Sequence, residues 1–270
     1  MQLPLSAAIA NRFEFLNEVG STNTELVSRA SGALGEEWPD FSVLVTTSQT
    51  NGRGRLGRVW VAPPGSSLAI SVLLRPTLPA GEPLGLEHYG WLPLIAGIAM
   101  TKAVATLVPE HSVTLKWPND VQIDGCKVSG LLAELLLSRE SVVMGAGLNL
   151  AFAEADLPTP TSTSLGLKGV VLAGEELADA ALAGYLAELK ALYTEFLRRG
   201  ADPGASGVSQ QLSELCSTLG QEVRVQLPGG DDLIGTAIDI DRSGRLSVRR
   251  STDGRVVSVA AGDVTHLRYE

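Results

Sequence analysis

Cysteine is nearly absent: Cys126 and Cys216 are the only two in 270 residues. They make neither a disulfide framework nor a C-x-x-C pair, so a reducing compartment is expected. Histidine is also scarce, and His88, His111 and His266 share no spacing suited to a metal ion. The N-terminus, MQLPLSAAIANRFEF, lacks a basic stretch followed by an apolar run, so no signal peptide is read. The longest apolar segment, Leu92 to Val108, is broken by Pro93 and Lys102 and reads as a buried helix rather than a membrane span. A formal charge of -9 disfavours duplex DNA as the main partner, because phosphate binding needs a basic surface. Aromatic residues are few at 5%, yet a 44% hydrophobic share supplies a core for one large domain, or one large and one small. The expectation is a globular cytoplasmic protein without a membrane segment.

One absence is local. No Asp or Glu stands between Asp40 and Glu82, and this gap contains Gly52-Arg53-Gly54-Arg55-Leu56-Gly57-Arg58-Val59-Trp60. Clustered guanidinium groups on a glycine-rich backbone suit the holding of phosphate or another anion. Gly52, Gly54 and Gly57 also spell G-x-G-x-x-G, and Val59 completes the kinase version. A dinucleotide fold needs a helix after that motif, but Pro63-Pro64-Gly65 blocks one, and no acid follows at the ribose position. No H-R-D or D-F-G supports a kinase, and no Lys-Ser or Lys-Thr completes a Walker loop. A disordered RGG tract is also excluded, since apolar strands Ser42–Thr47 and Leu68–Leu74 flank the segment. A cationic, mobile loop between two strands of a folded domain remains.

Elsewhere, periodicity predicts a strand over Phe13–Val19, then a helix from the Thr22/Glu25 capping box to about Ser31. A helix is expected over His88–Val108 and a strand over Val113–Trp117. Val121–Ile123, an Asp124-Gly125 turn and a strand through Leu131–Leu137 make a hairpin, and Ser141–Leu150 makes another strand. Glu175–Arg199 has one apolar stripe, acids at its start, bases at its end and Gly200 to stop it, so it is a core helix. Ala201–Gly207 reads as a small-residue linker. The texture then changes to short strands, Glu222–Leu227, Leu233–Ile240, Arg245–Arg250 and Val256–Ala260, with a turn at Pro228-Gly229-Gly230-Asp231. The expected division is a large domain over 1–210 and a small β domain over 211–270.

Beside the arginine loop stand three further patches: Ser21-Thr22-Asn23, Lys116-Trp117-Pro118-Asn119-Asp120 with Lys127 to Glu134, and Gly145-Ala146-Gly147-Leu148-Asn149. Singly, each has an ordinary reading: a helix cap, a turn with a solvent-facing lysine, a bulge or close packing. In order and spacing together they resemble the biotin protein ligases. That family's G-R-G-R-x-G-R-x-W, K-W-P-N-D and K-x-x-G-(I/L)-L-x-E strings are similar to Gly52–Trp60, Lys116–Asp120 and Lys127–Glu134. Its S-T-N and G-x-G-x-N match Ser21–Asn23 and Gly145–Asn149. Leu56 departs from the pattern, where many relatives carry a basic or polar residue.

The resemblance implies an α+β fold. A mixed-sheet catalytic domain related to class II aminoacyl-tRNA synthetases and lipoate ligases would be followed by a small SH3-like β-barrel. It implies ATP-dependent attachment of biotin to a lysine of a biotin carboxyl carrier domain, through biotinyl-5'-AMP. Two anions meet in the first step, so cations are required. Lys127 would bridge the biotin carboxylate and the α-phosphate as the catalytic cation, with Arg55. Ser21, Thr22, Asn23, Gln49, Gly52, Arg53 and Gly54 would join them around biotin. Arg53, Arg55, Arg58, Lys116, Asn119, Asp120 and Asn149 would serve ATP and the adenylate, with Trp60 as an aromatic face for adenine. Magnesium would be held mainly by phosphates and water, with Asp120 as the candidate protein ligand. Only about 12 residues precede the first expected strand, too few for a DNA-binding winged helix, so a monofunctional ligase is expected. The alternatives are a lipoate–protein ligase, which shares the fold and chemistry, and a non-catalytic biotin-binding sensor.

Overall fold

Two strands buried on both faces set the centre of the molecule. In the computed structural model, which describes residues 1–33, 35–136, 140–227, 232–260 and 263–267, the chain begins with the one-turn helix α1 (Pro4–Ala7). Strand β1 (Arg12–Phe15), helix α2 (Thr22–Ser31), strand β2 (Ser42–Thr46), the ribbon β3 (Gly52–Arg53) and β4 (Val59–Trp60), and β5 (Ser67–Leu74) follow. Next come α3 (Trp91–Leu107), β6 (Val113–Lys116), β7 (Asp120–Ile123), β8 (Cys126–Leu136), β9 (Ser141–Asn149), α4 (Gly174–Arg198) and α5 (Val208–Leu215). These β-strands, apart from the ribbon, form a seven-stranded sheet of order β1-β2-β5-β9-β8-β7-β6. Only β1 and β2 run parallel; the other pairings are antiparallel.

Every residue of β2 and β5 is buried, because both sheet faces are covered. Alternation sorts their side chains. Val43, Val45, Leu68, Ile70 and Val72 join the main core with α3 and α4, while Leu44 and Leu73 pack on the other face with Leu26 and Ala30 of α2. α3 is apolar enough by composition to cross a membrane, but most of its residues face this core. α2 covers only part of its own face of the sheet, and the uncovered part carries the site described below.

Several local expectations change. The strand over Phe13–Val19 ends at Phe15, after which Leu16 bonds to Val45 and Val19 makes only an isolated bridge to Gln49. α2 is capped by Ser21, whose hydroxyl accepts the Thr24 N–H, and Glu25 pairs with Arg29 rather than closing a capping box at Thr22. The loose linker at Ala201–Gly207 is instead a bonded turn. Ala201 is buried with its N–H on Phe196, and Asp202 accepts from Ala205. Gly207, at φ 76°, then starts α5, an unexpected helix that buries Val208 and Leu212. Leu137 and the Pro228–Asp231 turn lie outside the described residues.

The C-terminal strands β10 (Glu222–Gln226), β11 (Asp232–Ile240), β12 (Leu246–Arg250), β13 (Val256–Val259) and β14 (Asp263–His266) form an antiparallel sheet of order β13-β12-β11-β10-β14. Val223, Val225, Leu233, Ala237, Leu246, Val248, Val259 and Val264 line its buried face. Bonds join this unit to the rest of the chain: Trp91 Nε1 of α3 donates to the Arg242 carbonyl at 2.8 Å, the Trp117 N–H donates to Thr218 Oγ1 at 3.0 Å, and the Ser217 N–H donates to the Leu115 carbonyl of β6 at 3.0 Å. Thr218 Oγ1 lies 3.2 Å from His266 Nε2. The hydroxyl oxygen accepts from Trp117 and can give its own proton to Nε2 of the neutral imidazole.

Burial, and secondarily the charge of Lys116, hold the His266 pKa below its ordinary value. A depressed histidine pKa adds stability that is complete above the unfolded value of about 6.5 and lost as pH falls through the lower folded value. The stability advantage of the wild type over His266→Gln is therefore expected to shrink between about pH 7.5 and pH 5. Denaturant unfolding across that range checks this, and a pH-independent difference would contradict it.

Candidate active site

Strand alternation builds the floor. On β9, Gly145, Gly147 and Asn149 share the face turned towards α2, opposite the core-facing Met144, Ala146 and Leu148. A Cβ at 145 would collide with the Asn23 amide, and one at 147 would lie 2.5 Å from the Trp60 ring. The β5–β9 register runs unbroken through both glycines, so close packing rather than a bulge explains them. Beside them, β8 offers Gly130, Leu132 and Glu134. A register shift opposite Val121 and Gln122 turns Lys127 onto the same side as Gly130. Its Nζ sits 3.0 Å from where a Cβ at 130 would be.

The start of α2 forms one wall. Gln49 Oε1 accepts the Thr22 N–H at 2.8 Å and its hydroxyl at 3.2 Å, which leaves the Gln49 amide hydrogens for another partner. Asn23 also lines the cavity, but its groups are committed. Nδ2 donates to the Leu132 carbonyl and to Glu134, and Oδ1 accepts from Ser71 at 2.6 Å. These bonds make it a brace at the edge of the cavity.

The arginine loop is the roof. Gly52 pairs with Trp60 and Arg53 with Val59, and Leu56 and Gly57 turn the chain at φ 56° and 74°. Arg53 Nη2 donates to both oxygens of Glu134, at 2.6 and 2.8 Å, and Arg55 donates to Asn119 Oδ1 at 2.8 Å. Lys127 Nζ is 2.6 Å from Asp120 Oδ1. The segment after β9 straps the same lysine in place: the Lys127 N–H donates to Thr161, and its carbonyl accepts from Thr163.

These parts enclose a cavity of about 380 Å³ lined by Ser21, Thr22, Gln49, Arg53, Gly54, Arg55, Arg58, Trp60, Asn119, Asp120, Lys127 and Asn149. Two expected residues are not in the lining. Gly52 is part of the ribbon and packs too closely for a side chain: a Cβ there would meet the Trp60 carbonyl at 2.5 Å and Gln49 at 2.8 Å. Lys116 points elsewhere because Leu115 takes the core side of β6, and its charge acts on His266 at the joint. Glu134, Gly130, Thr159, Thr161 and Ser162 join the site without a signal in the sequence that names a role for them. Glu134 stood in a motif without a partner to name, and the Thr–Ser segment has no pattern beyond small polar residues.

Arg53 and Lys127 thus rest on carboxylates and Arg55 on an amide oxygen, so an incoming anion finds the cations already oriented. Asn149 Nδ2 donates to Thr163 at 2.8 Å, while Oδ1 is buried and has no protein partner among the described residues. Among the described residues, no three His, Cys, Asp or Glu side chains gather as a metal centre. Arg55 and Asn119 also border a second cavity of about 390 Å³, which reaches Ser243 and Arg245 of the C-terminal sheet.

Residues 18–149 match the Biotin/lipoate A/B protein ligase family, and residues 218–267 match the Biotin protein ligase C terminal domain. The Biotin--[acetyl-CoA-carboxylase] ligase of Mycobacterium tuberculosis is 38% identical over 259 residues, covering 95% of this chain and 90% of that protein. The structure of biotin protein ligase from Aquifex aeolicus in complex with biotin and ATP is similar with a TM-score of 0.67. It shows 27% identity over 94% of this chain and 98% of that one. The Leishmania major enzyme in complex with biotinyl-5-AMP gives a TM-score of 0.61 at 26% identity, over 93% of this chain and 99% of that one. With its fold, its cavity and this likeness along nearly its whole length, the chain belongs to the biotin protein ligases.

Proposed function

We propose that the chain attaches biotin to a lysine of a biotin carboxyl carrier protein in two steps driven by ATP. The observation that carries this reading is the convergence of Lys127, Arg53 and Arg55 on one cavity with an uncharged glycine floor. Its volume of about 380 Å³ lies within the usual span for small-molecule sites, roughly 300–1,000 Å³. In the first step, a biotin carboxylate oxygen attacks the α-phosphorus of ATP and pyrophosphate leaves. Lys127 lies where it can touch both anions, offsetting their repulsion and the charge that builds in the transition state. Arg55 and Arg58 meet the phosphates, and Asn119 fixes the angle of Arg55. Ser21, Thr22 and Gln49 offer the short polar groups that suit a ureido ring, which has one acceptor and two donors.

In the second step, the neutral amine of the carrier lysine attacks the acyl carbon, AMP leaves with the bonding electrons, and the nitrogen loses a proton. The roof matters most between the steps. A mixed anhydride hydrolyses in water, and a closed ribbon over it keeps water out until the carrier arrives. The chemistry of the donors fits magnesium, which prefers oxygen ligands and retains water. The unpartnered Asn149 Oδ1 and the Asp120 carboxylate are the oxygens that would face it, and the ion would neutralise phosphate charge when bound. The carrier is the one belonging to a biotin-dependent carboxylase, in line with the name of the mycobacterial relative, and the work is done in the cytoplasm.

Biotin-dependent exchange of pyrophosphate into ATP is expected, with lipoate supporting none. Exchange with lipoate alone would reassign the substrate. Lys127→Ala is expected to lower exchange by about 100–1,000-fold, the usual cost of removing a preorganised charge donor, while circular dichroism stays native. A variant exchanging at near-normal rate would remove Lys127 from this role. Arg55→Ala is expected to let biotinyl-AMP escape, which is measured as adenylate in the filtrate after the protein is retained; no excess over wild type would contradict the roof's function.

A further inference from the structure

We infer that Asp124, which lies outside the lining of the catalytic cavity, is a positioning residue that sets where Lys127 sits for the transfer step. The proposal rests on the role given to Lys127 above. The need for such a residue begins in the β7–β8 pairing. Asp120 lies opposite Gly130 and Val121 opposite Ser129, but Gln122 lies opposite Lys127, so β8 carries one extra residue, Val128. Val128 is sunk in the core, and this bulge leaves Lys127 on the cavity side. Past the bulge only two pairs remain, Gln122 with Lys127 and Ile123 with Cys126, before the chain turns at Asp124-Gly125. A hairpin end this short, cut off by a bulge, has few ladder bonds to fix its direction.

The Asp124 carboxylate supplies what the ladder lacks, because it reaches both flanks of the tip. On one flank, just before β6, Oδ1 accepts the Ser112 N–H at 3.1 Å and Oδ2 lies 2.7 Å from His111 Nδ1. On the other, Oδ2 accepts from Lys168 Nζ at 2.8 Å. Lys168 ends the turn Gly166–Lys168, which is fastened to the end of β9. There the Leu165 N–H donates to the Asn149 carbonyl and the Gly166 N–H to the Leu150 carbonyl. Lys127 is thus seated between β7 and the segment of Thr161 and Thr163, and Asp124 ties those two sides together at the tip. Lys168 first, and then His111, hold the Asp124 carboxyl down to about 2, so the tie is ionic across the neutral range. Without it the tip drifts, and Lys127 with it. Since Lys127 acts on charge that builds during transfer, the cost falls on kcat rather than on substrate binding.

Asp124→Asn tests this with little disturbance of the turn, since asparagine tolerates the φ of 50° and its amide oxygen still accepts from Ser112. In biotin-dependent pyrophosphate exchange its kcat is expected to fall about fivefold, with KM for biotin and for ATP within about twofold. Lys168→Met should lower kcat as well. It removes a positive charge where Asp124→Asn removes a negative one, so a long-range field would move kcat in opposite directions, and that result would overturn the tie. In the Lys127→Ala background, Asp124→Asn should cost nothing further, because it acts through that lysine. Unchanged kcat, a loss confined to KM, or the same fivefold loss without Lys127 would each overturn the assignment. A wild-type chain inactive with biotin, or a Lys127→Ala variant of near-normal rate, would defeat the functional reading instead. Deuterium uptake by residues 122–128 then decides separately: faster uptake in Asp124→Asn than in wild type is expected, and equal uptake would show that Asp124 does not hold the tip.

Discussion

The site depends on a strip of sheet without side chains. β9 must offer bare backbone at alternate positions, because Asn23 lies against Gly145 and Trp60 lies against Gly147. Alanine at 147 would push the indole, and with it the partner strand of the ribbon, away from the floor. Alanine at 145 would lift Asn23 and the start of α2. Wall and roof are both seated by the same small interruption in an otherwise apolar strand, so the cavity's height is set by two missing methyl groups. Glycine in a strand interior costs stability, and the long buried pairings of β5, β9 and β8 supply what is needed to tolerate it.

Charge is arranged around that neutral strip. Arg53 and Lys127 are paired with Glu134 and Asp120, neither pair is fully buried, and both remain in reach of solvent. Half-exposed pairs of this kind are weak, because water screens them. Weakness suits their position. They hold long side chains in the correct orientation while leaving them able to meet a more highly charged ligand, which a fully buried pair would resist. The surrounding acidic chain, at -9 overall, makes the cationic cavity the local exception to which small anions are drawn.

Much of this was legible in the sequence, for identifiable reasons. Buried strands and the amphipathic α4 announce themselves by period, and the arginine loop by a run without acids. The alternation that puts Gly145, Gly147 and Asn149 on one face is equally plain once β9 is read as a strand. Facing direction at strand ends was not legible. Lys116 sits in the same motif as Asn119 and Asp120, yet the demand of Leu115 for the core turns it away from the cavity. The bonds of Asn23 to Leu132, Glu134 and Ser71 are equally hidden, because the S-T-N string names no partner for it. α5 was missed because Val208 and Leu212 are the only residues it buries, too short a stripe to give a period. Thr159, Thr161 and Ser162 are brought to Lys127 by backbone bonds and by hydroxyl bonds among themselves, which leave no mark on composition.

The Trp117–Asn119 turn links the two sheets to the chemistry. Its first residue gives its N–H to Thr218, at the edge of the C-terminal unit, and its last receives Arg55 from the roof. Asn119 is fixed further by exchanging bonds with Leu131 on β8. Three consecutive residues therefore join the C-terminal unit to the roof, and one of them, Trp117, is buried at 2% exposure. The cavity of about 390 Å³ bordered by Arg55 and Asn119 is closed on its other side by Ser243, Gly244 and Arg245 of the turn before β12. Among the described residues, the small sheet contributes none to the lining of the catalytic cavity, and the Trp117–Asn119 turn is a contact that joins it to Arg55.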